Sequence, residues 1–195
     1  MILLDPALGP EPDPDPAARA ASGRQRRFSQ RSFRLPAPRT LARFLAAAQA
    51  AVRLPGEITV LLTGDDAIRR LNRKFRGKNR PTDVLSFPAA SMHGSEKIAG
   101  DLAISVASAR RQAIEQGHAL STEIKVLMLH GLLHLAGYDH ETDQGRMARR
   151  EAVLRTRLGL PHGLIERAVS PDLSRAKTGR APKMASGPGT RAGKP

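Results

Sequence analysis

The chain has 195 residues, of which 40% are hydrophobic, so it is long enough for one domain with its own core and additional tails. It has no cysteine, which excludes disulfides and cysteine-ligated metal sites and fits a reducing, cytoplasmic location. Lys and Arg number 32 against 18 Asp and Glu, a formal net charge of +14, and this excess favours an anionic partner, with nucleic acid the first candidate.

The N-terminal residues, 1–39, are predicted to contain a strand followed by a Pro/Arg-rich mobile insert. Residues 1–5 are apolar enough for a short edge strand, but they lack the basic region and the long apolar run of a signal peptide. Proline occupies positions 6, 10, 12, 14 and 16, which neither a helix nor a sheet ladder tolerates, so a mobile insert is predicted. Residues 17–39 contain seven arginines and no acid, and are interpreted as either an RNA-contacting arm or a solvated basic stretch.

Residues 40–169 are predicted to form a single catalytic α+β domain. Runs of β-branched and apolar residues predict strands near residues 57–62, 83–87 and 98–105. Apolar residues at helical spacing predict helices over residues 38–52, 66–75, 106–116 and 144–158. Together with the N-terminal strand, these elements predict a small mixed sheet of about four strands covered by helices. No apolar run approaches the ~20 residues that span a bilayer, so no membrane contact is expected.

The densest basic stretch begins on the helix predicted over residues 66–75. That helix is expected to start after an N-cap at Asp65 and to turn its apolar residues, Phe75 among them, inward. Seven of the twelve residues 69–80 are Arg or Lys. A polyanion lying across the following loop would supply the missing counter-charge. The alternative is a solvated helix face, which explains the helical arginines better than the cations of the loop.

Three of the six histidines, His130, His134 and His140, lie within eleven residues. On a helix, positions four apart share one face, so the first two imidazoles can aim at one point. Gly137 can adopt a left-handed conformation that ends the helix and turns the chain back, which would bring the third histidine to the same point. Three imidazoles with an open fourth position are typical of a catalytic zinc site.

The helix that carries these histidines is predicted to be buried in the core, in the manner of a zincin metal helix. Ser121 is expected to cap it, and apolar residues at helical spacing are expected to hold it rigidly. The spacing H-x3-H-x2-G-x2-H is that of the metzincin proteases, in which a glutamate follows the first histidine as general base. Gly131 stands at that position, so the metal ligands are present and the protease's base is missing.

Four motifs resemble those of one family, and they occur in that family's order over roughly residues 57–160. They are LNRKFRGK (71–78), PTDVLSFP (81–88), GDLAIS (100–105) and HGLLHLAGYDH (130–140). On these motifs the chain resembles the YbeY family. The resemblance implies a bacterial, single-strand-specific endoribonuclease with one zinc ion held by His130, His134 and His140. It also implies roles in 16S ribosomal RNA 3′-end maturation and ribosome quality control, with the ribosomal small subunit as partner and Arg76 as a further functional residue.

The expected chemistry is metal-assisted cleavage of an RNA phosphodiester. Arg76 is expected to fork onto the scissile phosphate and stabilise the charge of the transition state. Arg73, Lys78 and Arg80 are expected to hold flanking phosphates, and Asp139 is a candidate for orienting a histidine ligand.

The sequence leaves open both the class of function and the identity of the metal. A metalloprotease is a second class of function, and a non-catalytic ribosome-assembly factor with a structural zinc is a third. Three imidazoles also suit nickel or copper, so the sequence does not fix the metal. Residues 170–195 are rich in Pro, Gly, Ala and basic residues, and are predicted to be a disordered basic tail.

Overall fold

The computed structural model describes residues 1–8, 34–89 and 98–161. Within these ranges four strands form one sheet: β1 (Ile2–Leu4), β2 (Glu57–Thr63), β3 (Val84–Pro88) and β4 (Ile98–Ser105). The spatial order is β1-β2-β4-β3. The β1–β2 and β2–β4 pairs are parallel and the β3–β4 pair is antiparallel, so the sheet is mixed, as predicted. The first strand is an edge strand, also as predicted.

Sequence alternation explains how the central strand is buried. Ile58, Val60 and Leu62 on β2 are almost fully buried, and they stand two residues apart because successive side chains of a strand point to opposite faces. β1 adds to this strand in register, with Ile2 opposite Val60, and the chain's terminal ammonium donates to the carbonyl of Ile58. The N-terminal residues are therefore part of the same sheet as the rest of the domain.

Five helices accompany the sheet in the described part of the chain. They are α1 (Pro38–Val52), α2 (Asp65–Arg76), α3 (Val106–Gln116), α4 (Leu120–Leu135) and α5 (Arg146–Arg157). The first begins with Pro38, whose fixed φ suits the first turn, and buries Leu41, Leu45 and Ala48 at helical spacing. The predicted helices are thus confirmed, with ends shifted by one or two residues.

The fourth helix is the central helix of the fold, as predicted. Ten of its sixteen residues are buried, and it packs against β3, β4, α1, α3 and α5. Gly131 allows the helix to approach the sheet closely. A Cβ at that position would lie 2.8 Å from the Cδ2 of Leu102 on β4 and 3.2 Å from the Oγ of Ser86 on β3. The helix that carries the histidines is therefore held on several sides by the core.

Three local predictions are wrong. Asp65 is the first residue of α2 and Gly64 is its N-cap; the Asp65 carboxylate instead accepts hydrogen bonds from the neighbouring α3 region. α4 begins one residue before Ser121, after an N-cap at Ala119 that has no side-chain cap. The Phe75 side chain is not buried: it is 57% exposed and packs edge-to-face on Phe87 of the edge strand β3.

Several predictions lie outside the described residues. The proline-rich insert and most of the arginine-rich stretch fall in residues 9–33, and the basic tail falls after residue 161. The domain boundaries at 39/40 and 169/170 stay predictions. In the described ranges, no helix combines the length and apolarity that crossing a membrane requires.

Candidate metal centre

The three histidines of the HxxxHxxxxxH run come together at the C-terminal end of α4. His130 and His134 lie on its last turns, and Gly137 then takes a φ of +85°, the left-handed turn that the sequence predicts. This turn returns the chain so that His140 lies beside the first two. One ligand atom from each of the three rings lies within 4.8 Å of the others, so the three side chains could hold a metal ion. We refer to them below as the histidine cluster.

Two of the three ring nitrogens are already spaced as a bound metal would require. The Nε2 atoms of His130 and His134 are 3.2 Å apart. Two imidazole nitrogens on a tetrahedral zinc, each about 2.05 Å from the metal, would be separated by about 3.3 Å. The ring centroids are 4.8, 5.4 and 5.2 Å apart around the triangle, and the third ring is the exposed one. The donor set is therefore compatible with a metal bound by three imidazoles that keeps one side accessible.

A buried carboxylate on α5 fixes the orientation of one of these rings. The Nδ1 atom of His130 lies 3.1 Å from the Oε2 atom of Glu151, whose side chain has 0% exposure. A carboxylate only accepts hydrogen bonds, so Nδ1 donates to it, and the Nε2 atom of the same ring faces the cluster. The Oε1 atom of the same carboxylate accepts from Nε and NH2 of Arg155, at 2.9 and 2.5 Å.

The electrostatics of Glu151 favour its charged form. Burial works to raise the pKa of its carboxyl, but the hydrogen bond from His130 and the charges of His130 and Arg155 outweigh burial, and the pKa lies below its ordinary value. The sequence analysis missed this residue, because it lies 21 residues from its partner in a helix that reads as charged and exposed. The available signal was the pattern of buried positions on α5, where Met147, Glu151 and Leu154 occupy one face.

Burial lowers the pKa of the second histidine of the cluster, whereas it works to raise the pKa of a carboxyl such as that of Glu151. The pKa of the His134 imidazole is lowered, first by burial and then by the nearby rings of His130 and His140. A hydrogen bond with the backbone of Tyr138 and the charge of Asp139 oppose this shift without cancelling it. The ring is therefore kept neutral, which is the form that ligates metals.

Two carboxylates close to His140 in sequence, those of Asp139 and Asp143, stabilise the turn that carries this histidine. Asp139 accepts hydrogen bonds from the amide of Glu141 at 3.1 Å and from the hydroxyl of Thr142 at 3.0 Å. Asp143 accepts from the amide of Met147 at 2.7 Å, at the start of α5. Asp139 therefore shapes the turn, and the carboxylate that hydrogen-bonds a histidine of the cluster is Glu151.

Gly131 stands where the metzincin proteases carry their glutamate base, and this position faces away from the histidine cluster. Gly131 is buried against Leu102 and Ser86, and its carbonyl accepts a hydrogen bond from the Ser86 hydroxyl at 3.3 Å. A side chain there would enter the helix–sheet contact. The glycine is thus explained by packing, and no general base could act from this position.

The four basic residues expected to bind RNA lie at the end of α2 and in the loop that follows. Arg73 and Arg76 are on the last helical turn, and Gly77 ends the helix with a φ of +68°. The buried Asn72 holds the loop, because its Nδ2 donates to the carbonyl of Arg80 at 2.7 Å and its carbonyl accepts from the amide of Lys78 at 3.3 Å.

All four of these side chains are exposed. Among the described residues, no hydrogen bond or ion pair joins Arg73, Arg76, Lys78 or Arg80 to the histidine cluster or to any acid. The structural link between the two regions is the edge strand β3, which packs under α2 and is hydrogen-bonded to α4 through Ser86 and Gly131.

Comparison with known proteins gives a consistent similarity. A sequence profile described as Endoribonuclease YbeY matches residues 22–159, which include the histidine cluster and the basic stretch. A protein named Endoribonuclease YbeY from Koribacter versatilis is 49% identical over 138 residues, 71% of this chain and 88% of the relative. One of the same name from Solibacter usitatus is 52% identical over 130 residues, 67% of this chain and 85% of the relative. A solution structure from Thermotoga maritima matches with a TM-score of 0.44 at 27% identity, covering 64% of this chain and 85% of that one.

Proposed function

Since the chain belongs to the YbeY family of endoribonucleases, we propose that it is a metal-dependent endoribonuclease that cuts single-stranded RNA. The observation that supports this most is the histidine cluster, whose three ligand atoms lie within 4.8 Å of one another beside an open face. The catalytic metal is zinc, held by His130, His134 and His140. When bound, such an ion supplies Lewis-acid chemistry for phosphodiester hydrolysis.

The chain's own residues prepare this site in two ways. Glu151 holds the ring of His130 in the tautomer that presents Nε2, and Arg155 holds Glu151. Burial keeps the ring of His134 neutral, so that it is ready to ligate at physiological pH. Both effects lower the free energy needed to arrange the ligands before a metal binds.

The basic residues supply the contacts to the RNA backbone. Arg76 is the residue that stabilises the charge of the cleaved phosphate, because a guanidinium presents two parallel donors to phosphate oxygens. Arg73, Lys78 and Arg80 neutralise flanking phosphates. In support, all four are exposed and have no ion-pair partner within the described residues, so each is available to an anion.

The substrate that we propose is ribosomal RNA of the small subunit, cut in the maturation of the 16S 3′ end and in ribosome quality control. This rests on the family to which the chain belongs and on its net charge of +14, which suits a polyanionic assembly. We also propose that the protein acts in the cytoplasm, in agreement with the absence of cysteine.

The two other classes of function are less well supported. A metalloprotease of the metzincin type needs a general base after the first histidine, and Gly131 packs against the sheet there. A purely structural zinc is usually closed by four protein ligands, whereas three histidines form the group found in the described residues.

The test is cleavage of a 5′-end-labelled RNA by the purified protein, offered as a single strand and as a duplex with its complement. We expect fragments from the single strand alone, loss of cleavage with a chelator, and recovery when zinc is restored. Casein serves as the alternative substrate. Chelator-sensitive hydrolysis of casein with intact RNA would establish the protease, and RNA binding without cleavage would establish the assembly factor.

A further inference from the structure

Phe75 is an aromatic side chain that the fold does not bury. It exposes 57% of its surface, although its spacing from the buried Ile68 and Asn72 places it on the same face of α2. The sheet ends under this part of the helix, because β3 is the edge strand. A single exposed apolar side chain is common on protein surfaces, so a partner is indicated by what surrounds this ring and not by its exposure alone.

The ring is held in place by a second aromatic. The centroids of Phe75 and Phe87 are 5.1 Å apart, with the ring planes at 68°, an edge-to-face contact. Phe87 in turn packs against the small core of Ile68, Leu85 and Ala103. This contact restricts the exposed ring and so reduces the conformational entropy that it would lose when a flat ligand stacks on it.

The surroundings of the ring are basic. Arg73, Lys74 and Arg76 are its neighbours on α2 and all are exposed. The Lys74 ammonium lies 5.2 Å from the centroid of the Phe75 ring, a cation–π contact. This ammonium is the mobile end of an exposed side chain, so it can move to a phosphate when a base takes its place. An aromatic ring among cations is how proteins bind single-stranded nucleic acid, with bases stacked and phosphates neutralised.

A short chain of contacts connects this ring with the helix of the histidine cluster. Phe75 contacts Phe87 on β3, the preceding Ser86 donates to the carbonyl of Gly131 at 3.3 Å, and Gly131 follows His130. Because Ser86 and Phe87 are successive residues, they point to opposite faces of β3, so the ring and the helix of the cluster lie on either side of this edge strand. An RNA strand that joins the basic loop to the cluster would cross this edge of the sheet.

We propose that Phe75 is the stacking platform for an unpaired base of the RNA substrate, with Arg73 and Arg76 on the adjoining phosphates. This inference rests on the proposed function and deepens it. In a duplex the faces of the bases are covered by their neighbours, so a platform of this kind favours single strands over duplexes. Phe75 thus contributes to the choice of substrate, and the histidine cluster to the chemistry.

The first experiment uses the absence of tryptophan from the chain. In the full-length Phe75→Trp variant a single indole reports on stacking, because a base stacked on it quenches its fluorescence. Stopped-flow mixing with a mixed-sequence single-stranded RNA follows binding before cleavage proceeds. The control is Ile114→Trp, which places the indole at a similarly exposed position on α3. We expect quenching in the first variant and not in the second, and none with inorganic polyphosphate.

The second experiment separates stacking from charge. We expect Phe75→Ala to weaken single-stranded RNA binding by about 5- to 100-fold without changing its salt dependence. Arg73→Ala should reduce the slope of log affinity against log salt by roughly 0.7, the value for one phosphate contact of a single strand. The conservative Phe75→Trp should restore affinity, and Ile114→Ala should leave it unchanged.

Four results would overturn the inference. Equal quenching by polyphosphate would show that charge and not a base acts on the ring. Quenching in neither variant, or unchanged affinity in Phe75→Ala while the wild type cleaves RNA normally, would reject Phe75 and leave the endoribonuclease intact. If the wild type does not bind single-stranded RNA at all, the proposed function fails and this inference fails with it.

Discussion

His130 and Glu151, on α4 and α5, are joined by a hydrogen bond of 3.1 Å between Nδ1 and a fully buried carboxylate. This contact supports the histidine cluster from outside, because it fixes the tautomer and the orientation of the His130 ring. Arg155 in turn holds the carboxylate of Glu151 in place. The buried carboxylate has no solvent to stabilise its charge, so it depends on these two partners. The relationship makes α5 a support of the histidine cluster, although none of the three residues that could hold a metal lies on it.

Glu151→Gln should weaken metal binding about 10- to 100-fold, because an amide oxygen is a weaker acceptor and the amide NH2 would face the Arg155 guanidinium. The measurement is zinc affinity of the apoprotein by competition with a chromogenic chelator. Glu123→Gln is the matched control. Glu123 is also a buried carboxylate, in the first turn of α4, and its histidine partner, His118, lies outside the cluster. Equal losses of affinity in both variants would contradict a specific role for Glu151.

Gly131→Glu, which installs the metzincin residue, should destabilise the fold by at least about 3 kcal/mol and should not produce casein hydrolysis. The added side chain would collide with Leu102 and place a carboxylate in an apolar contact. Urea unfolding measures the free energy. Gly64→Glu is the control, because nothing lies within 4 Å of a Cβ there and an acid suits the start of α2; it should change stability by less than about 1 kcal/mol. A stable, proteolytic Gly131→Glu would restore the protease alternative.

Asp65→Asn should lower the free energy of unfolding at neutral pH by about 1–3 kcal/mol. The carboxylate accepts from the hydroxyls of Ser105 and Ser108 and from Arg111, and these bonds tie α2 to α3. Burial alone would raise the pKa of Asp65, but the hydrogen bonds from Ser105, Arg111 and Ser108 prevail and the pKa lies below the ordinary 3.8.

The sign of the pH dependence follows from this shift. A depressed native pKa gives stability above pH 3.8, and that stability is lost as the pH falls through the lower native value. The difference between wild type and Asp65→Asn should therefore be full at pH 6 to 7 and shrink below about pH 4. Asp66→Asn is the control, because that side chain is 81% exposed and its ion pair within the described ranges is with Arg69 on the same helix. A pH-independent difference would show that Asp65 does not act through its charge.

Arg76→Ala should reduce kcat for RNA cleavage by about 10²- to 10³-fold, with a smaller loss of RNA affinity, because its guanidinium stabilises charge that develops in the transition state. Single-turnover cleavage and a separate binding titration distinguish the two effects. Arg157→Ala is a matched control: Arg157 is also exposed and is the last residue of its helix, α5. A normal cleavage rate in Arg76→Ala with RNA still bound would remove Arg76 from the chemistry.

The sequence predicts the histidine cluster well because its geometry is local. The i, i+4 spacing and the glycine turn lie within eleven residues, so helix periodicity and one left-handed residue bring the rings together. Glu151 could not be predicted in the same way, because its contact with His130 depends on how α5 packs against α4. Packing between distant elements follows from the whole core, and no short pattern encodes it.

The existence of the strands and helices was also predictable, whereas their arrangement in space was not. Apolar runs define β2 and β4, but the order β1-β2-β4-β3 is a property of long-range pairing. The helical period placed Phe75 correctly on the face of α2 that carries Ile68. The prediction that its ring turns into the core was wrong, because β3 beneath it is the edge strand and the ring stays exposed. Asp65 and Ser121 have cap-forming side chains, but both lie inside their helices, which begin after N-caps at Gly64 and Ala119.

The most direct test of the central claim compares cleavage of an end-labelled single-stranded RNA by the wild type, His134→Ala and His118→Gln, prepared identically. His118 is a histidine outside the cluster, and glutamine can still donate to Glu123, so this variant controls for purification and for a contaminating nuclease. We predict cleavage by the wild type and His118→Gln, and loss of at least about 10³-fold in His134→Ala while the protein remains folded. Equal cleavage by all three proteins would contradict the account, because the histidine cluster would then not be where RNA is cut.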